Sequence, residues 1–193
     1  MNRTLVLASA SPRRRDLLRT AGFDPEIAPA DLDERPRDSE APDTYVARLA
    51  VDKARAGWRS GEVTIGADTT VACDGRMLGK PSTPGMAVDM LRRLSGRTHR
   101  VLTGVAVADP SGRVEHVVVT TRVVFDRLTP EAIAGYVASG EPLDKAGAYG
   151  IQGRAAAFVE RIDGSYTNVV GLPLVETVRL LGAAGLRTPA EPT

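Results

Sequence analysis

The chain has 193 residues, 42% of them apolar, enough to build a hydrophobic core in one compact domain spanning 1–193. Its 25 basic and 24 acidic residues leave a formal net charge of +1, so no global field draws nucleic acid or an anionic membrane, and any anion site must be local. Aromatic residues at 4% are too sparse for a single-strand stacking platform, the lone Cys73 permits no internal disulfide, and no stretch approaches the ~20 apolar residues of a membrane span.

A soluble protein of the cytoplasm is therefore expected. Leu5 to Ala8 predicts a first strand, shorter than the roughly 7–15 residues of a secretion signal's apolar core. Ser11 then stands at an N-cap, Pro12 suits the first helical position, and Leu17, Leu18 and Ala21 supply an apolar stripe that Gly22 ends. Arg13, Arg14 and Arg15 crowd the first turn, where backbone N–H groups and the helix dipole are already positive. An anion such as a polyphosphate would relieve that conflict, although a solvated basic turn has the same appearance.

The Pro-rich, charged segment Asp31 to Asp43 reads either as a loop beside a site or as a tolerated surface excursion. A helix follows over about Thr44 to Trp58, with Val46, Leu49, Ala50, Lys53 and Ala54 on one face. Lys53 interrupts that stripe. It either snorkels to the surface or aims a point charge into a phosphate cleft. Val63 to Ala67 predicts a strand, and Asp68 directly after it occupies the strand end where open α/β sheets place ligands, or else forms a turn or helix cap. Glu34 alone is an ordinary solvated acid. Paired with Asp68 it could hold Mg²⁺ or Mn²⁺ through carboxylate oxygens, with substrate phosphate and water completing the shell.

Asp74-Gly75 marks a hairpin turn. The following Gly75 to Pro81 imitates a phosphate-binding P-loop but is one residue short between its glycines and has Pro where Ser or Thr must bind metal. Lys80 can still neutralise phosphate without that loop. Thr83-Pro84 and Thr129-Pro130 open helices over Met86 to Leu94 and Glu131 to Ala138, and a last helix covers Leu174 to Leu181. Strands are predicted over Val101 to Ala108, Val114 to Phe125 and Ala157 to Ile162, with hairpin turns at Ser111-Gly112 and Asp163-Gly164. Helical connections favour parallel pairs and hairpins antiparallel ones, so the predicted architecture is α/β with a mixed, twisted sheet flanked by helices. Arg187 to Thr193 reads as a frayed tail, and His99 and His116, lacking zinc-site spacing, as surface or sheet residues.

Six blocks extend the reading: Ala8 to Arg14 (ASASPRR), Ile65 to Thr69 (IGADT), Leu78 to Pro81 (LGKP), Leu94 to Gly96 with Thr103 to Ala106, Glu141 to Gly153 (EPLDKAGAYGIQG) and Asn168 to Pro173 (NVVGLP). Through them nearly the whole chain resembles the Maf-like nucleoside triphosphate pyrophosphatases. The resemblance implies the mixed-sheet fold of inosine-triphosphate pyrophosphatases, two lobes with a cleft, and a pocket of Ser11, Arg13, Arg14, Glu34, Lys53, Asp68, Lys80 and Gln152. It makes Asp68 the proton acceptor and places the chain with the dTTP- and UTP-hydrolysing branch, Arg13, Thr69 and Gln152 setting that preference. A divalent cation, a nucleotide as sole substrate partner and a homodimer are implied as well. Arg154 to Ala157 departs from the glycine that relatives often carry at the pocket rim. The family also leaves open two other roles: sanitation of modified pyrimidine nucleotides, and regulatory binding that arrests septum formation.

Overall fold

The computed structural model describes residues 3–187, so all but the first residue of the expected frayed tail lies outside the described residues. Strand β1 (Leu5–Leu7) is buried throughout and pairs in parallel with β2 (Glu26–Ile27) and with β3 (Val63–Cys73), Val6 facing Glu26 and Leu7 facing Ile65. Helix α1 (Pro12–Thr20) starts at the predicted proline. Ser11 holds the N-cap backbone position, yet its side chain makes no capping bond. Helix α2 covers Pro42–Gly57.

One correction bears on function. Strand β3 does not stop at Ala67 but runs to Cys73, so Asp68 sits in mid-strand instead of at a strand end. The sequence marks a carboxylate as an interruption; the β-branched Thr69, Thr70 and Val71 carry the extended backbone through it, and an ion pair removes the penalty of burying the charge. The hairpin at Asp74-Gly75 is present. Both residues have left-handed backbones, φ 48° and 73°, as a two-residue type I′ turn requires, and β4 (Arg76–Leu78) returns antiparallel to β3.

Helix α3 (Pro84–Leu94) and helix α4 (Pro130–Ala138) are capped by Thr83 and Thr129, whose hydroxyls accept from Met86 N and Ala132 N at 3.2 Å. Strands β5 (Thr98–Ala108) and β6 (Val114–Phe125) match the prediction closely. Residues 154–158 form a 3₁₀ turn, so β7 covers only Val159–Asp163, antiparallel to β6 with Val123 facing Ile162. No hairpin turns at Asp163-Gly164. The chain goes on into the short helix α5 (Tyr166–Val170), held by Ser165 Oγ accepting from Asn168 N and by Asn168 Nδ2 donating to Val101 O and Thr121 Oγ1 at 3.0 Å. Helix α6 is Leu174–Ala183. The sheet order is β2-β1-β3-β5-β6-β7 with β4 added to β3, a mixed sheet with helical connections, as expected. Among the described residues no helix is long and apolar enough to cross a membrane.

The described residues divide into two compact units, 3–68, 103–119 and 171–187 in the first and 69–102 and 120–170 in the second. The first is built on Leu5, Leu7, Leu18, Val63, Ile65, Val105, Leu172 and Leu181, with Ala50 and Ala54 of α2 against Ala106 and Ala108 of β5. In the second, His99, Phe125, Tyr149, Phe158 and Tyr136 form an edge-to-face aromatic ladder with successive centroids 4.7 to 6.3 Å apart.

Within the first unit α2 touches the strand backbones directly. A Cβ on Gly66 would lie 2.1 Å from Ala50 O and 2.4 Å from Ala54 N, and one on Gly104 would lie 2.2 Å from Val46 O. These are main-chain atoms and cannot swing aside. Gly66→Ala is therefore expected to destabilise the protein by at least the ~1–3 kcal/mol of core overpacking. Gly135→Ala, in open space inside α4, should instead stabilise by about 0.4–1 kcal/mol. Urea unfolding of both variants checks this; equal midpoints would disprove the close helix-on-strand contact.

Candidate active site

Side chains two apart on a strand share a face, so Asp68 points the same way as the position of Gly66. The missing side chain at 66 lets α2 settle at Ala50 and Ala54, and Lys53, one residue before Ala54, then reaches Asp68. Lys53 Nζ donates to Asp68 Oδ1 at 2.7 Å and lies 2.7 Å from Glu34 Oε1. The lysine side chain is 7% exposed, Asp68 10% and Glu34 46%, so the ammonium does not snorkel but is buried between two carboxylates, one internal and one at the surface. That geometry joins Glu34 and Asp68, which the sequence alone could not pair.

The segment carrying Glu34 is no free excursion. Tyr45 Oη donates to Glu34 O at 3.0 Å, while Arg48 grips Glu40 with two bonds of 2.6 and 2.7 Å and donates to Arg35 O at 3.3 Å. Helix α2 thus supplies Lys53 and clasps the loop that supplies its second carboxylate. Burial pushes the Tyr45 phenol up, and the charges of Asp68 and Glu34 push the same way, so it remains a hydrogen-bond donor. The Arg48 bonds hold the Glu40 carboxyl well below its usual range, at about 2.

At the start of α1, Arg14 is buried, its Nε donating to Gly171 O at 2.9 Å and its Nη1 to Ser9 Oγ at 3.0 Å, while Ser11 N donates to the same hydroxyl at 3.3 Å. Two Arg14 donors are thus used on the protein itself. Desolvation lowers its pKa; Asp68 opposes that shift, Arg13 adds to it and Glu34 opposes it, so these charges share one electrostatic neighbourhood. Arg13 and Ser11 are partly exposed beside it. Tyr45, Arg48 and Glu40 had escaped the sequence reading, and Ser9 stood in its first block without a role. The legible signal was Tyr45 and Arg48 at i, i+3 on a helix following an acid-rich loop.

The remaining candidates belong to the second unit. Thr69 follows Asp68 on β3, and Lys80 is exposed just beyond β4. Gly147 N donates to Gly79 O at 3.1 Å, tying the segment before Gln152 to the one bearing Lys80. Gln152 is exposed on a turn closed by Gly153 N donating to Gly150 O at 3.0 Å.

The sequence profile of the Maf-like protein family matches residues 4–184. The chain belongs to the Maf-like family. It is 53% identical over 185 residues to a protein of Geobacter sulfurreducens named dTTP/UTP pyrophosphatase, covering 94% of this chain and 96% of that one. A Salmonella typhimurium protein of the same name is 52% identical over 181 residues, 92% of this chain and 91% of its own. The crystal structure of a nucleoside-triphosphatase, dITP/XTP pyrophosphatase, from Mycobacterium abscessus aligns with 65% of this chain and 75% of its own at 18% identity and a TM-score of 0.41.

The Glu40–Arg48 clasp has a pH signature. A carboxyl held near 2 in the folded chain but ordinary when unfolded stabilises fully above about pH 4.5, and that contribution is lost as pH falls toward 2. Glu40→Gln should accordingly be less stable than the parent near about pH 6, the gap closing between about pH 4.5 and 2. Urea midpoints measured at each pH test it. A gap independent of pH would mean that the carboxylate charge contributes nothing.

Proposed function

We propose that this chain hydrolyses dTTP and UTP between the α and β phosphates, releasing pyrophosphate and the nucleoside monophosphate. The observation that carries the proposal is the buried Lys53 ammonium 2.7 Å from both Asp68 and Glu34, in a chain half identical over nearly its full length to proteins named dTTP/UTP pyrophosphatase. Asp68, rooted in mid-strand and fixed by Lys53, is the proton acceptor for the water that attacks the α-phosphorus. The new bond forms from that water oxygen, the α–β bridging bond breaks with its electrons on pyrophosphate, and the water proton passes to Asp68. Charge accumulates on the leaving pyrophosphate, where Arg13 and Lys80, with Arg14 and Ser11 shaping the N-terminus of α1, supply the positive field.

Glu34 and Asp68 are the residues that would hold a divalent cation, Mg²⁺ or Mn²⁺. The two carboxylates converge on one point, each with an oxygen 2.7 Å from Lys53 Nζ, and a small hard cation takes one or two carboxylates and completes its shell with phosphate and water. Such an ion neutralises phosphate charge and acidifies bound water. We extend the reading to a single functional domain working as a homodimer on free nucleotides of the cytoplasm. Thr69, Arg13 and above all Gln152 set base preference in this reading, since the Gln152 amide offers one donor and one acceptor to the carbonyl and N–H edge that uracil and thymine share.

Asp68→Asn keeps an oxygen for Lys53, whose charge retains Glu34, so the fold avoids the ~3–5 kcal/mol cost of stranding a buried ion. Turnover of dTTP should nevertheless fall at least ~10²-fold in steady-state assays of pyrophosphate release, and excess chelator should abolish the parent's activity. Orthophosphate as the first product, or near-normal turnover by folded Asp68→Asn, would refute the mechanism.

Base choice separates from phosphate chemistry. Gln152→Ala should shrink the kcat/KM preference for dTTP and UTP over purine triphosphates by about 1–3 kcal/mol, whereas Lys80→Ala should slow all triphosphates alike. An unchanged preference in Gln152→Ala removes it as selector.

A further inference from the structure

The turn that carries Gln152 is gripped at both ends by two side chains without a part in the reaction so far. Tyr136, a buried residue of α4, has its hydroxyl accepting from Gly150 N at 3.1 Å and donating to Glu141 Oε1 at 2.9 Å. The other oxygen of that carboxylate, Glu141 Oε2, accepts from Arg154 N at 3.2 Å. Between these two anchored amides lie Ile151, Gln152 and Gly153. The fit is close: a Cβ on Gly153 would come within 2.1 Å of Glu141 Oε1 and 2.7 Å of Oε2, so the carboxylate occupies the space a side chain would fill.

Both partners are themselves held. Tyr136 stacks edge-to-face on Phe158 at 5.2 Å, at the end of the aromatic ladder, and burial pushes its phenol up, keeping the proton that Glu141 accepts. Lys145 Nζ donates to Glu141 O at 2.7 Å, and its stem covers Gly150, where a Cβ would meet Lys145 Cε at 2.6 Å. A chain of rigid groups thus runs from the core to the two ends of a five-residue turn whose exposed crest is Gln152. We propose that Tyr136 and Glu141 are positioning residues for base selection, holding the Gln152 backbone so that its amide meets the pyrimidine edge in one orientation. The inference rests on the reading of Gln152 as selector.

Loss of either anchor should loosen Gln152 without touching the phosphate chemistry. Tyr136→Phe and Glu141→Ala should lower the kcat/KM ratio of dTTP and UTP to purine triphosphates roughly tenfold, through weaker pyrimidine turnover with pyrophosphate still the product. Glu141→Gln, whose carbonyl can accept from Arg154 N while its NH₂ donates to the Tyr136 oxygen, should restore the ratio. Amide hydrogen exchange gives a readout independent of activity: residues 150–154 should exchange faster in Tyr136→Phe while α3 and α4 keep their protection. If Gln152→Ala shifts the ratio but well-folded Tyr136→Phe and Glu141→Ala do not, the positioning role is overturned and the selector stands. If Gln152→Ala leaves the ratio unchanged, the selector reading fails and takes this inference with it.

Discussion

An ammonium group sealed between two carboxylates organises the first unit. Lys53 is almost fully covered, and in that position an unpaired charge would cost several kcal/mol, so the structure must deliver acids to it. One comes from the middle of β3 and the other from a loop. Each carboxylate is thereby fixed against a rigid helix, and the pair offers the kind of oxygen donor that hard divalent cations take. The paradox of Asp68, a carboxylate inside a buried strand, has the same solution.

The ion pair in turn depends on close approach. Helix α2 rests on main-chain atoms at Gly66 and Gly104, with Ala50 and Ala54 as its own contact surface. Any side chain at either glycine would lift the helix and carry Lys53 away from Asp68. The family block Gly66-Ala67-Asp68 is therefore a mechanical unit as well as a chemical one: the glycine sets the helix height, and the aspartate two residues on uses it. The same helix holds the Glu34 loop through Tyr45 and Arg48, so one element governs both acids.

The second unit follows a different logic. Its candidate residues Lys80 and Gln152 are exposed, and order is imposed on their backbones instead of their side chains. Gly147 N on Gly79 O and the Tyr136–Glu141 bracket fix where the segments lie, while the candidate side chains themselves stay exposed. Polar anchoring suits this region because successive 3₁₀ turns over 141–158 lack the repeating ladder of a strand or long helix and need side-chain partners for their amides.

Local chemistry was legible from the residues alone. Proline after Ser or Thr marked the starts of α1, α3 and α4, Asp74-Gly75 marked the type I′ hairpin, and β-branched runs marked β5 and β6, because these signals act over a few bonds. The blocks shared with the Maf-like family contain the candidates Ser11, Arg13, Arg14, Asp68, Thr69, Lys80 and Gln152, but not Glu34 or Lys53. What the sequence could not contain was which charges meet. Lys53 looked first like a snorkelling surface residue, Asp68 like the end of a strand, the loop after Asp31 like a loose excursion and Asp163-Gly164 like a hairpin. Each alternative was decided by a contact that local spacing does not report: the seating of α2 on two glycines, the lysine between two acids, the Arg48 grip on Glu40 eight residues earlier, and Asn168 reaching Val101 and Thr121 far along the chain. Propensity and spacing report only on neighbours along the chain. Burial of a charge is set by what folds against it, so only the tertiary structure could decide it.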